Sequence, residues 1–404
     1  MTVERPNSKP ARAFFSSGPC AKRPGWSISN IPTFTLGRSH RSKIAKEKLK
    51  ELITLSKSLL KLPSDYKVGI VAGSDTGAIE MAMWSLLGAT GVDVLGWENF
   101  GNDWVKDAVS QLKIKNLNVH KADYGKLPDL EKVDFNNDVI FTWNGTSSGV
   151  CLPDANWIKD DRKGLTICDA TSSVFAMPMD WTKLDVITWS WQKVLGGEAA
   201  HGMIALSPKA LERLKTHQPT WPIPKIFRLA EDKKILEGVF EGETINTPSM
   251  LCVEDCIDAL LWIESIGGSE GAIKRSKKNL EEVKFFVKEN KDWIDFLAEK
   301  ENTISSTSIC LKITDPKFKK LSKDEQAAKL KTINQILEKE NIAYDINSYR
   351  TAPAGFRIWG GATVESTDIE KLLPWIKWAY LTNLNVLSSP LMFRRKKYTP
   401  LLKD

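Results

Sequence analysis

Lys193 occupies a stretch built to hold an amine still. Asp185-Val-Ile-Thr-Trp-Ser-Trp-Gln-Lys-Val-Leu-Gly-Gly197 reads as a short β-branched and aromatic strand that ends at the lysine and then meets two glycines. Glycines allow another group to approach the backbone closely. Neither neighbour of the lysine, Gln192 or Val194, is acidic, and Trp189 and Trp191 give it a partly dry setting that favours the neutral amine. A neutral, oriented amine is what Schiff-base chemistry needs. On this stretch alone a surface lysine at a strand end is the better account of the residues. A second apolar run, Gly164-Leu-Thr-Ile-Cys-Asp169, ends in a carboxylate about two dozen residues upstream, the spacing of neighbouring strands with a short connection. Alone, Asp169 reads as a turn or cap. Together the two are the pair that pyridoxal phosphate requires: an amine for its aldehyde, and a carboxylate that keeps its ring nitrogen protonated while the ring takes up electrons from a breaking Cα bond.

Elements must bring such groups together, and the pattern supplies them. Val68–Ala72 is a buried strand, followed by Gly73-Ser-Asp-Thr-Gly77 and a helix from about Ala78 to Leu87. A strand, a small polar turn and a helix N-terminus aim backbone amides at a phosphate. The turn is neither a Walker A loop nor a dinucleotide fingerprint. Strands follow at Asp93–Trp97, at Asp138–Asn144 (closed by the hydroxyl-rich turn Gly145–Gly149), at the two stretches above and at His201–Leu206, with helices between several of them. This alternation predicts an α/β fold with a mainly parallel sheet, helices on both faces, and ligands beyond the strands' C-terminal ends. Helical periodicity from Arg41 places Arg38-Ser-His-Arg41 at a helix start, where Ser39 caps it or His40 and Arg41 form an anion site. Asn246-Thr-Pro248 caps a later helix. Ile266-Gly-Gly-Ser269 divides the chain, and an α+β segment follows. Within it Arg357 sits in a strand with apolar neighbours and needs an anion or an internal salt bridge.

A chain of 404 residues can bury a sizeable core across two domains. Its net charge of +7 is gathered partly at the ends, Arg5 to Arg23 and Arg394–Lys397, which reads as solvated surface rather than nucleic-acid binding and suits anionic substrates. Six scattered cysteines without paired metal-ligand spacing argue against a metal site and for free thiols in a reducing cytosol. No run has the length of a membrane span or a signal-peptide core.

The sequence resembles phosphoserine aminotransferases, in the class V branch of the fold-type I pyridoxal-phosphate enzymes. The resemblance rests on Phe15-Ser-Ser-Gly-Pro19, Gly37-Arg-Ser-His-Arg-Ser-Lys43, Asp169, Gln192-Lys193, Asn246-Thr-Pro248 and Gly355-Phe-Arg-Ile-Trp359, in family order over nearly the whole chain. It implies a large domain, residues 16–266, with a mainly parallel sheet of the seven-stranded type. A smaller α+β domain is implied for residues 267–404 together with the N-terminal arm, residues 1–15. It implies Lys193 and Asp169 as catalytic groups. Ser74, Asp75, Thr76, Thr146, Gln192, Asn246 and Thr247 would hold the cofactor, the last two reaching the neighbouring subunit's phosphate. Asp75, an anion beside a dianion, would offer its backbone amide or cap its helix. An aromatic over the cofactor ring falls to Trp104, with Phe100 as the alternative. Arg357 would clamp the substrate α-carboxylate, while His40, Arg41 and Arg350 would read a phosphate, the first two across a homodimer interface.

The implied reaction transfers an amino group from glutamate to 3-phosphohydroxypyruvate, a phosphorylated 2-keto acid, giving O-phosphoserine and 2-oxoglutarate. The competing readings are an alanine–glyoxylate-type transaminase, for which the His40-Arg41 pair has no use, and a cysteine desulfurase, for which Cys310 in an apolar strand is misplaced. A third is a non-catalytic cofactor- or anion-binding protein that keeps the fold.

Overall fold

The computed structural model describes residues 4–384. Seven strands form the main sheet: β1 (Lys67–Ala72), β2 (Val92–Gly96), β3 (Leu117–Lys121), β4 (Asp138–Thr142), β5 (Thr166–Asp169), β6 (Val186–Ser190) and β7 (His201–Leu206). Their order is β1-β7-β6-β5-β4-β2-β3. From β6 to β3 every pairing is parallel, while β7 runs antiparallel to both β6 and β1. The expected mainly parallel sheet is therefore present, with one strand reversed. Strands β2, β4, β5, β6 and β7 are buried along their whole length. That burial on both faces is why their sequences are nearly continuous apolar runs. Edge strand β3 is largely exposed, and its polar sequence carries no strand signal; parallel pairing with β2 makes it one.

The longer helices are α1 (Lys43–Leu60), α2 (Ser74–Leu86), α3 (Asn99–Lys106), α4 (Pro208–Thr216), α5 (Met250–Ser265), α6 (Gly268–Glu289), α7 (Lys323–Lys339) and α8 (Ser366–Leu384). Helix α2 is apolar almost all round, with Ala78, Ile79, Met81, Ala82, Met83 and Leu86 fully buried, so it lies inside the molecule against β7 and β6. It begins at Ser74, a turn earlier than its apolar pattern suggests, which draws the polar turn into the helix. Two other starts differ from expectation. Ser42, not Ser39, caps α1, accepting from Ala45 N at 3.4 Å. Ser249, not Asn246, caps α5, accepting from Cys252 N at 3.4 Å. His40, Arg41, Asn246 and Thr247 thus lie in the segments that approach these helices.

A second, antiparallel sheet holds β8 (Ile294–Phe296), β9 (Ser308–Ile313) and β10 (Gly355–Trp359); α6 and α7 both pack on α8 beside it. Gly267 and Gly268, at φ 99° and 70°, make the sharp corner between α5 and α6. The N-terminal arm crosses from this sheet to the turn carrying Lys193: Tyr344 N donates to Ala13 O, Trp359 N to Phe15 O and Cys20 N to Gln192 O, each at 2.9 Å. The basic run Arg394–Lys397 lies outside the described residues. Among the described residues no helix is long and apolar enough to cross a membrane.

Candidate active site

Strand β6 stops at Ser190, so Lys193 lies not at a strand end but in the tight turn that leads to the reversed strand β7. The turn is closed by Gly196 N donating to Lys193 O at 3.0 Å and Gly197 N to Trp191 O at 2.9 Å. Trp189 and Trp191 are buried beneath it. The amine donates to Ser17 O of the arm at 2.5 Å. Burial pulls its pKa below the ordinary lysine value of 10.5; the nearby Arg357 cation adds to the lowering, against Cys20, Asp169 and Asp75.

Asp169 is the last residue of β5 and pairs in register with Thr188 of β6, so the carboxylate and the lysine stand at the same end of adjacent parallel strands. It is buried. One oxygen, Oδ2, accepts from Trp104 Nε1 at 3.1 Å, and Oδ1 accepts from Thr171 N at 3.1 Å. Trp104 sits within α3 rather than at its start, and its indole N–H points at this carboxylate. Asp75, in the first turn of α2, is also buried and neither caps the helix nor finds a partner for Oδ1. Burial, and then the neighbouring Asp169, push its pKa well up.

Lys193, Asp169, Ser74, Asp75, Thr76, Trp104, Thr146 and Gln192 line one cavity of about 270 Å³, with Gly18, Pro19 and Phe100. Eight of the residues expected from the sequence thus meet in one place. Both aromatic candidates, Trp104 and Phe100, are among the lining. Thr146 stands at the tip of the hairpin Asn144–Gly145/Val150–Cys151, its hydroxyl donating to Ser172 Oγ at 2.8 Å. Around the cavity Asp75 Oδ1, Thr171 Oγ1 and Gln192 Oε1 are buried without partners. Such groups cost free energy unless a ligand meets them. A dry amine, a buried carboxylate, unsatisfied polar atoms and the N-terminal turn of a helix together fit pyridoxal phosphate, with the turn suited to its phosphate.

Arg357 lies on β10, half-buried, in an adjoining cavity of about 870 Å³ that shares Gly18 and Pro19 with the first. Its Nε is buried without a hydrogen-bond partner. Arg350 is exposed. Both guanidiniums lie over the ring of Tyr349, at 5.4 Å for Arg357 and 5.6 Å for Arg350. The structure does not bring His40, Arg41, Asn246, Thr247 or Arg350 to the lining of either cavity within one chain. Sequence reasoning passed over Tyr349, which sits in a polar loop with no periodic pattern, and over Ser17 as the amine's partner, although Ser17 and Gly18 belong to the Phe15–Pro19 motif.

No family model matches the chain. It is 55% identical over 376 residues to the phosphoserine aminotransferase of Methanosarcina mazei, an alignment covering 93% of this chain and 99% of that one. Its fold is similar to that of the phosphoserine aminotransferase of Cytophaga hutchinsonii, with TM-score 0.75, 24% identity and coverage of 91% and 98%. The pyridoxal-phosphate-bound phosphoserine aminotransferase of Trichomonas vaginalis shares it too, with TM-score 0.69, 18% identity and coverage of 91% and 100%. These two likenesses are of fold alone.

Proposed function

The chain belongs to the phosphoserine aminotransferase family, and from that premise we propose how its own residues perform the transfer of an amino group from glutamate to 3-phosphohydroxypyruvate. Bound pyridoxal phosphate supplies an aldehyde that condenses with amines and a ring that withdraws electrons from the breaking Cα–H bond. Lys193 would hold that aldehyde between turnovers, and its freed amine would take the substrate's Cα proton on Nζ. Its lowered basicity suits both roles, because a lysine with an unshifted pKa is almost wholly protonated near pH 7. Asp169 keeps a proton on the ring nitrogen, and Trp104 Nε1 and Thr171 N orient its two oxygens. Ser74 and Thr76 receive the cofactor phosphate at the first turn of α2; Trp104 or Phe100 restrains the ring, and Thr146 and Gln192 complete its surround. Arg357 binds the carboxylate common to both substrates, and Arg350 the phosphate or the distal carboxylate.

His40 and Arg41, with Asn246 and Thr247, serve the active site of a second copy in a homodimer. Exposed apolar side chains at Phe34, Leu36 and Leu251, beside these segments, support an interface there. On the same reading residues 16–266 form the cofactor-binding domain and residues 1–15 with those from 267 onward the smaller one. Six free cysteines, five of them buried, favour a cytosolic setting.

The observation that carries the reading is a lysine of lowered basicity, in the turn after one strand, and a buried carboxylate at the same end of the adjacent parallel strand, lining one cavity with a helix N-terminus. The test is single-turnover spectroscopy of the cofactor-loaded protein with glutamate, O-phosphoserine or alanine added separately. Glutamate and O-phosphoserine should each bleach the visible cofactor band far faster than alanine. Equal rates with alanine and O-phosphoserine would show that the cations do not read phosphate.

A further inference from the structure

Tyr349 carries two guanidiniums on one ring. Arg357 CZ lies 5.4 Å and Arg350 CZ 5.6 Å from its centroid, within the range of cation–π attraction. The ring is itself fixed, because it packs tilted against Phe100 with centroids 5.7 Å apart, and Phe100 lines the cavity that holds Lys193. The surrounding loop is pinned at both sides. Ser348 N donates to Gly355 O at 3.2 Å, and Thr351 Oγ1 lies 2.6 Å from Tyr124 Oη, which reaches Ser147 Oγ at 3.3 Å. Among the described residues neither arginine is paired with a carboxylate, and Arg357 Nε is buried with no acceptor. A flexible cation with no anion to hold it would otherwise sample many rotamers, and each would have to be surrendered when substrate binds.

We propose that Tyr349 is a positioning residue for substrate binding: its ring face, braced by Phe100, holds Arg357 and Arg350 in place as one preorganised anion clamp. The proposal rests on the reading of Arg357 as the carboxylate-binding residue. The effect is carried by the ring and not by the hydroxyl, so Tyr349→Phe keeps the platform and Tyr349→Leu removes it while leaving bulk. The two arginines serve different substrate groups, so loss of the platform weakens both substrates. Chemistry on the bound substrate, which depends on Lys193 and Asp169, continues.

Steady-state kinetics on the cofactor-loaded enzyme test this, together with thermal melting and the Kd of glutarate, an unreactive dicarboxylate, read from the visible band of the bound cofactor. Tyr349→Leu should raise KM for glutamate and O-phosphoserine roughly tenfold, the size expected from losing two cation–π contacts, and raise the Kd of glutarate alongside. Its kcat and melting midpoint should stay near wild type, and Tyr349→Phe should match wild type throughout. Loss in Tyr349→Phe equal to that in Tyr349→Leu would overturn the inference, since the hydroxyl would then be the active group. A fall in kcat with KM unchanged would also overturn it. Arg357→Ala separates the two levels: unchanged KM there refutes the carboxylate clamp itself, whereas raised KM there beside normal KM in Tyr349→Leu refutes only the platform.

Discussion

Gly18→Ala should cripple turnover by more than its cost in stability explains. A Cβ built on Gly18 would stand 2.5 Å from Lys193 Nζ, 3.4 Å from Cε and 3.9 Å from Cδ. Ordinary non-bonded contact needs about 3.5 Å, so the amine must retreat by about 1 Å and surrender its hydrogen bond to Ser17 O. The lysine end is flexible and the displaced atoms are not backbone, but Gly18 itself sits at φ 158°, a conformation L side chains rarely adopt, so the methyl also strains the backbone. The reacting nitrogen, however, is now misplaced, and a shift of about 1 Å costs on the order of 100-fold in rate, equivalent to about 2.7 kcal/mol of barrier. The assay is kcat for the glutamate-dependent reaction, measured on folded protein beside the melting midpoint, so that loss of rate is separated from the backbone strain at Gly18. Gly196→Ala is the contrast. There a Cβ would meet the Ala21 carbonyl oxygen at 2.2 Å, at φ 65°, and backbone cannot yield in the same way, so soluble yield and melting midpoint should fall first. A Gly18→Ala enzyme with kcat within about threefold of wild type would refute the assignment of this amine position to the reactive state.

Three further outcomes follow from the geometry. Arg213 forks onto the buried Asp138 at 2.8 and 3.0 Å; Arg213→Ala strands that carboxylate and should lower unfolding free energy by about 3–5 kcal/mol in urea titration. Trp104→Phe removes one of the donors to Asp169, a bond to a charged group of about 1.5–3 kcal/mol, and should lower kcat roughly ten- to a hundredfold while the protein still melts cooperatively. In the cofactor-free protein burial lowers the pKa of Lys193 below 10.5. The unfolded chain therefore binds the extra proton, and stability contributed at this site rises with pH until the unfolded lysine also titrates. Lys193→Met should be more stable than wild type near neutrality, and denaturant midpoints should show the gap narrowing as pH approaches 10.5; a gap that widens contradicts the burial argument.

The chemistry of the site was legible because it lies at the ends of buried parallel strands, and burial on both faces leaves a long apolar signature. Asp169 and Lys193 could be placed together from that alone. Helix starts were harder. Ser39 and Ser42 both precede α1, and only the chain's path decides which hydroxyl faces the free amide of Ala45; the same holds for Asn246 and Ser249 before α5. Asp75, expected to offer its backbone amide or cap its helix, does not cap it: α2 is so apolar that it sinks into the molecule and takes the carboxylate with it. Strands β3 and β8 escaped notice, the first being polar and the second only three residues long. Tyr349 gave no signal, since its significance is entirely in what lies over its ring.

The N-terminal arm has a consequence for how the molecule comes into being. Residues 13–20 leave the ribosome long before their backbone partners Gln192, Tyr344 and Trp359. At translation rates of about 5–20 residues per second, Phe15 waits on the order of tens of seconds before Trp359 exists to meet it. The carbonyl that steadies the Lys193 amine belongs to this same late-seated segment. A segment made early is thus seated late: a nascent chain that has not reached Tyr344 lacks at least two of the three backbone bonds that hold the arm beside the Lys193 amine.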